Sequence, residues 1–195
     1  MDRTSPRAGI TAATPQPIGM DGGLANPAGP GLGDPAALDL IHDKAFEDGE
    51  NLFLGGLCCA ESVLKAIADL HSLKDPNIPK IATGFCGGVS RTSGMCGALA
   101  GGIMALGLLS GRSGPAEPKD QCYALVHCLV HRFREVFGST QCTDLLGCDI
   151  STAEGAGVFA SGDLEISVCA RVTRVTSGLV EAIYGQRESI RHPLL

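Results

Sequence analysis

The chain has 195 residues and is 44% hydrophobic, 18% charged and 4% aromatic, with no tryptophan. That length and apolar share suit one domain with a core of Leu, Val, Ile, Ala and Met. With a net charge of −6 and few rings, it lacks both the basic footprint and the stacking surface of a nucleic-acid binder. No segment reaches the ~20 apolar residues that span a bilayer, so neither nucleic acid nor a membrane span is expected.

Residues 1–35 are rich in Pro, Gly, Ala and Thr and show no apolar periodicity, the pattern of a flexible tail. Residues 36–195 read as a single cysteine-rich helical domain. The first twenty residues carry no apolar run of the secretory type. The nine cysteines are an odd number and do not read as a disulfide framework. Reduced thiols in the cytoplasm are therefore expected, for metal binding, redox work or core packing.

From Pro35 the stretch PAALDLIHDKAFEDGENLFLGG has a proline suited to a helix start and glycines that stop it. A second helix is predicted from about Leu57 to Leu70. On its wheel Cys59, Val63, Ala66, Ile67 and Leu70 share an inward face, whereas Cys58, Ser62, Lys65 and Asp69 share an outward one. A short helix is expected near Pro79–Gly84, then a glycine-rich loop, then a central helix over residues 95–109 that is apolar all round. Its glycine-rich face could serve a core or a homodimer.

Pro118 opens the next predicted helix, which runs to Phe137. Its inward stripe is Cys122, Leu125, Val126, Leu129, Phe133, Val136 and Phe137, with His127, Cys128 and His131 off the stripe. His127 and His131 stand four apart, a spacing that can bind metal, but no third ligand accompanies them and a solvated face is the plainer expectation. GSTQCTDLLGCDIS reads as loop with one helical turn, and STAEGAGVFASGD as a short helix. A last helix is predicted over about Glu165–Tyr184, with Cys169 beside Val172 and Thr176. No β alternation or internal repeat is found. The expected fold is an all-α bundle of about five to seven helices.

No CxxC, haem-attachment CxxCH, GxGxxG or P-loop occurs, so any shared thiol site must be assembled by tertiary structure. Cys96 has the strongest individual case. It sits at a helix start, where free N–H groups and the helix dipole favour a thiolate. Gly97 and Gly101 leave the neighbouring surface bare for a close approach. Packing by small residues accounts for the same pattern.

Four segments then occur in order: CAESVL at Cys59–Leu64, FCGGVSRTSGMCGALAGGIMALGL at Phe85–Leu108, FGSTQCTDLLGCD at Phe137–Asp149, and a cysteine opening the last helix. Over about residues 40–185 the chain resembles the C_GCAxxG_C_C family of redox-active helical proteins. The CGAxxG motif corresponds to Cys96-Gly97-Ala98-Leu99-Ala100-Gly101. The resemblance implies four characteristic cysteines, Cys59, Cys96, Cys142 and Cys169, and leaves Cys58, Cys86, Cys122, Cys128 and Cys148 as extras. A related domain occurs in split-Soret-type cytochromes beside an iron–sulfur centre, which implies that the four thiolates hold an iron–sulfur cluster, with Gly87, Gly88, Gly97 and Gly101 shaping the backbone around it. The expected function is electron transfer with a redox partner protein. The alternatives are a thiol–disulfide protein with Cys96 as the reactive thiolate, a structural zinc domain, and a helical interaction module. Whether the protein is an enzyme is left open.

Overall fold

The structure is a computed structural model that describes residues 35–192. Among these residues the chain is all-α, as its pattern predicts, with no strand and one isolated antiparallel bridge between Met95 and Gln141. The order is α1 (Pro35–Leu54), α2 (Cys59–Leu70), a 3-10 turn (Lys80–Phe85), α3 (Cys86–Val89), α4 (Gly97–Ser110), α5 (Asp120–Phe137), α6 (Cys142–Leu146) and α7 (Ala153–Ser161). A π turn (Glu165–Ala170) then leads directly into α8 (Arg171–Gly185). These eight helices exceed the expected five to seven because α3 and α6 are single turns of 4 and 5 residues, too short to leave an apolar period in the sequence. The tail expected over residues 1–35 lies outside the described residues, save for Pro35, which opens α1.

Helix α4 is central. It packs on α2, α5 and α8, and α8 packs in turn on α1 and α2. A helix that is apolar on every side has no wettable face, so burial on all sides is its stable state. Val63, Leu64 and Ile67 of α2, Leu99 and Leu106 of α4, Leu125, Leu129 and Phe133 of α5, and Val180 of α8 form this core, none more than 1% exposed. Gly101 sets the α2–α4 distance: a Cβ there would stand 2.5 Å from the carbonyl oxygen of Ala60. Gly102 faces Leu129, Thr176 and Val180, so the small-residue face of α4 meets partners within the chain. Among the described residues no helix is long and apolar enough to cross a membrane.

Three helix-wheel placements are corrected. Ser62, assigned to the outer face of α2, is fully buried. Its hydroxyl donates to the Cys58 carbonyl at 2.9 Å, so the polar group is satisfied without water. Cys122, placed on the inward stripe of α5, is half-buried and takes no part in the core. It belongs to the first turn of α5, where Asp120, Gln121 and Tyr123 are exposed as well. Cys128, placed off the stripe, packs against the core instead. His127 and His131 are exposed, as expected.

Candidate thiol cavity

Six of the nine cysteines, Cys58, Cys59, Cys86, Cys96, Cys142 and Cys169, line one cavity of about 180 Å³. The four marked by the family resemblance are all among them. Separate elements deliver them: Cys59 is the first residue of α2, Cys96 the N-cap of α4, Cys142 the first residue of α6, and Cys169 lies in the π turn before α8. Phe53, Leu146, Ile150, Val168 and Val172 supply apolar wall. The cavity reaches solvent past Cys58, Arg91 and Glu165, which line it and are exposed.

The glycine-rich loop explains how the thiols meet. Gly87 and Gly88 take left-handed backbone (φ +63° and +64°), and Val89, Ser90 and Arg91 follow with φ of +61°, +53° and +63°. The chain thus makes a left-handed turn, which costs roughly 1–2 kcal/mol for each non-glycine residue. Hydrogen bonds hold it in place: Ser90 Oγ donates to the Gly84 carbonyl at 2.9 Å and Thr92 Oγ1 to the Gly88 carbonyl at 3.0 Å. The Gly94 N–H also donates to the Gly88 carbonyl, at 2.9 Å. Gly88 has a second constraint, because a Cβ there would stand 2.5 Å from Cys142 Cβ.

Two further bonds clamp the loop to the start of α6. The Cys142 N–H donates to the Gly94 carbonyl at 2.7 Å, and the Cys96 N–H to the Thr140 carbonyl at 2.8 Å. Together they set Cys96 and Cys142, 46 positions apart in sequence, on the same wall. The bare surface of Gly97 is filled by Cys59 Sγ, which any side chain at position 97 would displace. Gly97 and Gly88 therefore seat thiols, Gly101 seats a helix, and Gly87 bends the turn.

Burial governs the chemistry of the sulfurs. Cys96 is 7% exposed and Cys142 6%. Burial pushes the Cys96 thiol up to about 11, against the opposing pull of the Leu99 and Ala98 N–H groups. The helix start lowers this pKa as the sequence suggests, but desolvation is the larger effect, which favours the neutral thiol and weighs against the alternative of Cys96 as a reactive thiolate. Cys169 is pushed up to about 12, first by burial and then by Cys96 and Cys142. Cys142 is raised by burial and by Cys148. Each thiol thus opposes ionisation of its neighbours.

A second cluster sits at the opening. Ligand atoms of Cys58, Glu61 and Cys86 lie within 4.8 Å of one another. Glu61 is three residues into α2 and its Oε2 accepts the Cys58 N–H at 2.8 Å, one half of a capping box. Its Oε1 accepts the Thr83 hydroxyl at 2.6 Å. Cys58 is exposed and Cys59 half-buried, as the wheel predicts, yet both line the cavity, and beside them the Cys86 thiol donates to the Ala82 carbonyl at 3.8 Å. Cys58 caps the helix instead of continuing it, and both thiols face the cavity. Wheel reasoning missed Cys58 and Cys86; the sequence signal for the former was Glu61 three places on, the mark of a capped helix start. Cys122, Cys128 and Cys148 do not line the cavity, and His131 pairs with Glu135 at 3.3 Å.

A protein family described as "Putative redox-active protein (C_GCAxxG_C_C)" matches residues 57–183. The chain belongs to this family. The matched stretch holds all six cavity cysteines. No curated protein and no solved structure gives a match to the chain. Membership suggests a redox role, and the grouped cysteines could bind a metal.

Proposed function

We propose that the chain is a cytoplasmic electron-transfer protein in which Cys59, Cys96, Cys142 and Cys169 hold an iron–sulfur cluster and exchange electrons with a partner protein. The observation that carries this is the convergence of those four side chains, from four elements, on one apolar cavity of about 180 Å³. A single water needs about 10–15 Å³ measured this way, so the space exceeds what one ion between four sulfurs would use. An all-sulfur donor set favours iron–sulfur groups or another soft metal.

The electrostatics support a cationic occupant. Cys96, Cys142 and Cys169, whose thiols burial and neighbouring sulfurs hold protonated, give up their protons when a metal supplies the compensating charge. When bound, a cluster supplies an electron couple whose potential follows hydrogen bonding to its sulfurs and solvent exposure. The chain's own part is to hold the sulfurs, exclude water with the wall of Phe53, Leu146, Ile150 and Val172, and aim the Ala98 and Leu99 N–H groups at Cys96. The positive ends of α2 and α4 meet the same thiolates. Thiol–disulfide chemistry led by Cys96 is disfavoured because its sulfur is both buried and protonated.

The test is anaerobic purification followed by a visible spectrum and iron, sulfide and zinc analysis of wild type and Cys96→Ser. Charge-transfer bands with stoichiometric iron and sulfide are expected, lost in the variant. A colourless protein free of iron and sulfide after reconstitution would overturn the proposal. Its zinc content would then separate a structural zinc site from thiol–disulfide chemistry.

A further inference from the structure

We propose that Cys58, Glu61 and Cys86 form a second metal site, taking one borderline-soft divalent cation of the zinc class where the thiol cavity opens to solvent. Their ligand atoms already lie within 4.8 Å of one another. Zinc holds thiolate sulfur at ~2.3 Å and carboxylate oxygen at ~2.0–2.2 Å. Closing the trio on one ion therefore needs side-chain rotations on the order of an ångström.

The carboxylate is held in advance. Thr83 donates its hydroxyl to Oε1 at 2.6 Å, and the Cys58 N–H donates to Oε2 at 2.8 Å. Supporting bonds of this kind orient a ligating carboxylate and raise affinity. The local field is negative as well: Glu61 and Glu165 both disfavour a charged Cys58 thiolate, as does Cys86. That field attracts a cation, and Cys58 is exposed, so an ion reaches the trio without passing through the cavity. Two thiolates, a carboxylate and a divalent ion sum to a net negative group, which the N-terminal end of α2 stabilises. Two sulfurs and one oxygen select zinc or cobalt over magnesium or calcium. Three protein ligands leave one coordination position for water or a small ligand.

Its ligands differ from the proposed cluster set, because neither Cys58 nor Cys86 belongs to the four cysteines that the family resemblance marks, although both also line the cavity. Cys86 and Cys59 both flank Gly97 and line the same cavity, so the two sites are neighbours. The second stands whether or not the first holds a cluster.

Cobalt(II) titration of the metal-free, fully reduced full-length chain tests this, read by thiolate-to-cobalt charge-transfer absorption and by bound metal per chain. Cys58→Ser, a change at an exposed position, is expected to bind one equivalent fewer than wild type. Glu61→Gln keeps the cap, since glutamine serves the same role there, yet should weaken that equivalent by about tenfold or more. The double variant Cys142→Ser/Cys169→Ser should retain it. Unchanged stoichiometry and absorption in Cys58→Ser would overturn the proposal, as would full affinity in Glu61→Gln. If the double variant fails to fold, the comparison of wild type with Cys58→Ser alone decides. Iron and sulfide content do not enter this measurement, so it fails or succeeds independently of the cluster.

Discussion

Among the nine cysteines, all within the described residues, only Cys58 is exposed, yet exposure does not make it reactive. Its thiol is pushed up to about 11, chiefly by burial of the part facing the cavity and then by Cys86 and Glu61. An ordinary cysteine ionises near ~8.5, and the thiolate is the nucleophile. A raised pKa means that the thiolate is scarce near neutrality and accumulates until the pH reaches the raised value. Alkylation of the metal-free protein with iodoacetamide, followed by peptide mass spectrometry, should therefore modify Cys58 at pH 8 at least about tenfold more slowly than free cysteine. The rate should keep climbing to about pH 11; a plateau near pH 9 would contradict the electrostatic picture. The role of Cys86 was illegible in the sequence for a related reason. It depends on a left-handed turn through Gly87 and Gly88 that folds the thiol back onto Cys58 and Cys59, and no periodicity encodes that turn. Cys96 was legible as a helix start, but the sign of its pKa shift was not, because local sequence reports the dipole and says nothing of how deeply the sulfur is buried.

At the scale of elements, α4 shows how two glycines of one helix do opposite things. A Cβ at Gly101 would press on the Ala60 carbonyl oxygen, a backbone atom that cannot move without α2, whereas nothing lies within 4 Å of one at Gly107. Alanine gains about 1 kcal/mol over glycine in a helix interior, and overpacking a tight contact costs about 1–3 kcal/mol. Gly107→Ala should therefore raise stability by up to about 1 kcal/mol. Gly101→Ala should lower it by roughly 1–2 kcal/mol net, read from urea midpoints at constant slope. Equal stabilisation by both would show that α2 and α4 do not approach closely at Gly101. The long helices were readable because their apolar faces repeat every three to four residues: Val63, Ile67 and Leu70 in α2, and Leu125, Leu129 and Phe133 in α5, continue for several turns. The single turn α6 was read only as one helical turn within a loop, the left-handed turn α3 was not read at all, and the π geometry around Cys169 was hidden inside the predicted last helix, since each is fixed by contacts with other elements. Ser62 misled the wheel because a serine that bonds the carbonyl four residues back counts as polar in sequence and as satisfied in the core.

Across the whole molecule, five helices build an apolar core while the chain starts of α2, α4 and α6 and the π turn before α8 converge at one side of it. Stability and chemistry are thus divided between the interior of the helices and their ends. The set Cys59, Cys96, Cys142 and Cys169 came from the resemblance to the C_GCAxxG_C_C family, and all four line the cavity. Their convergence lay beyond the reach of spacing, because 46 residues separate Cys96 from Cys142 and two backbone hydrogen bonds bring them together. The most direct test of electron transfer is an anaerobic spectroelectrochemical titration of the reconstituted full-length protein, with iron and free thiols counted before and after. A reversible one-electron bleaching and recovery, with iron retained and the thiol count unchanged, is the predicted result. A two-electron couple without an iron chromophore, in which titratable thiols disappear in pairs on oxidation, would contradict it.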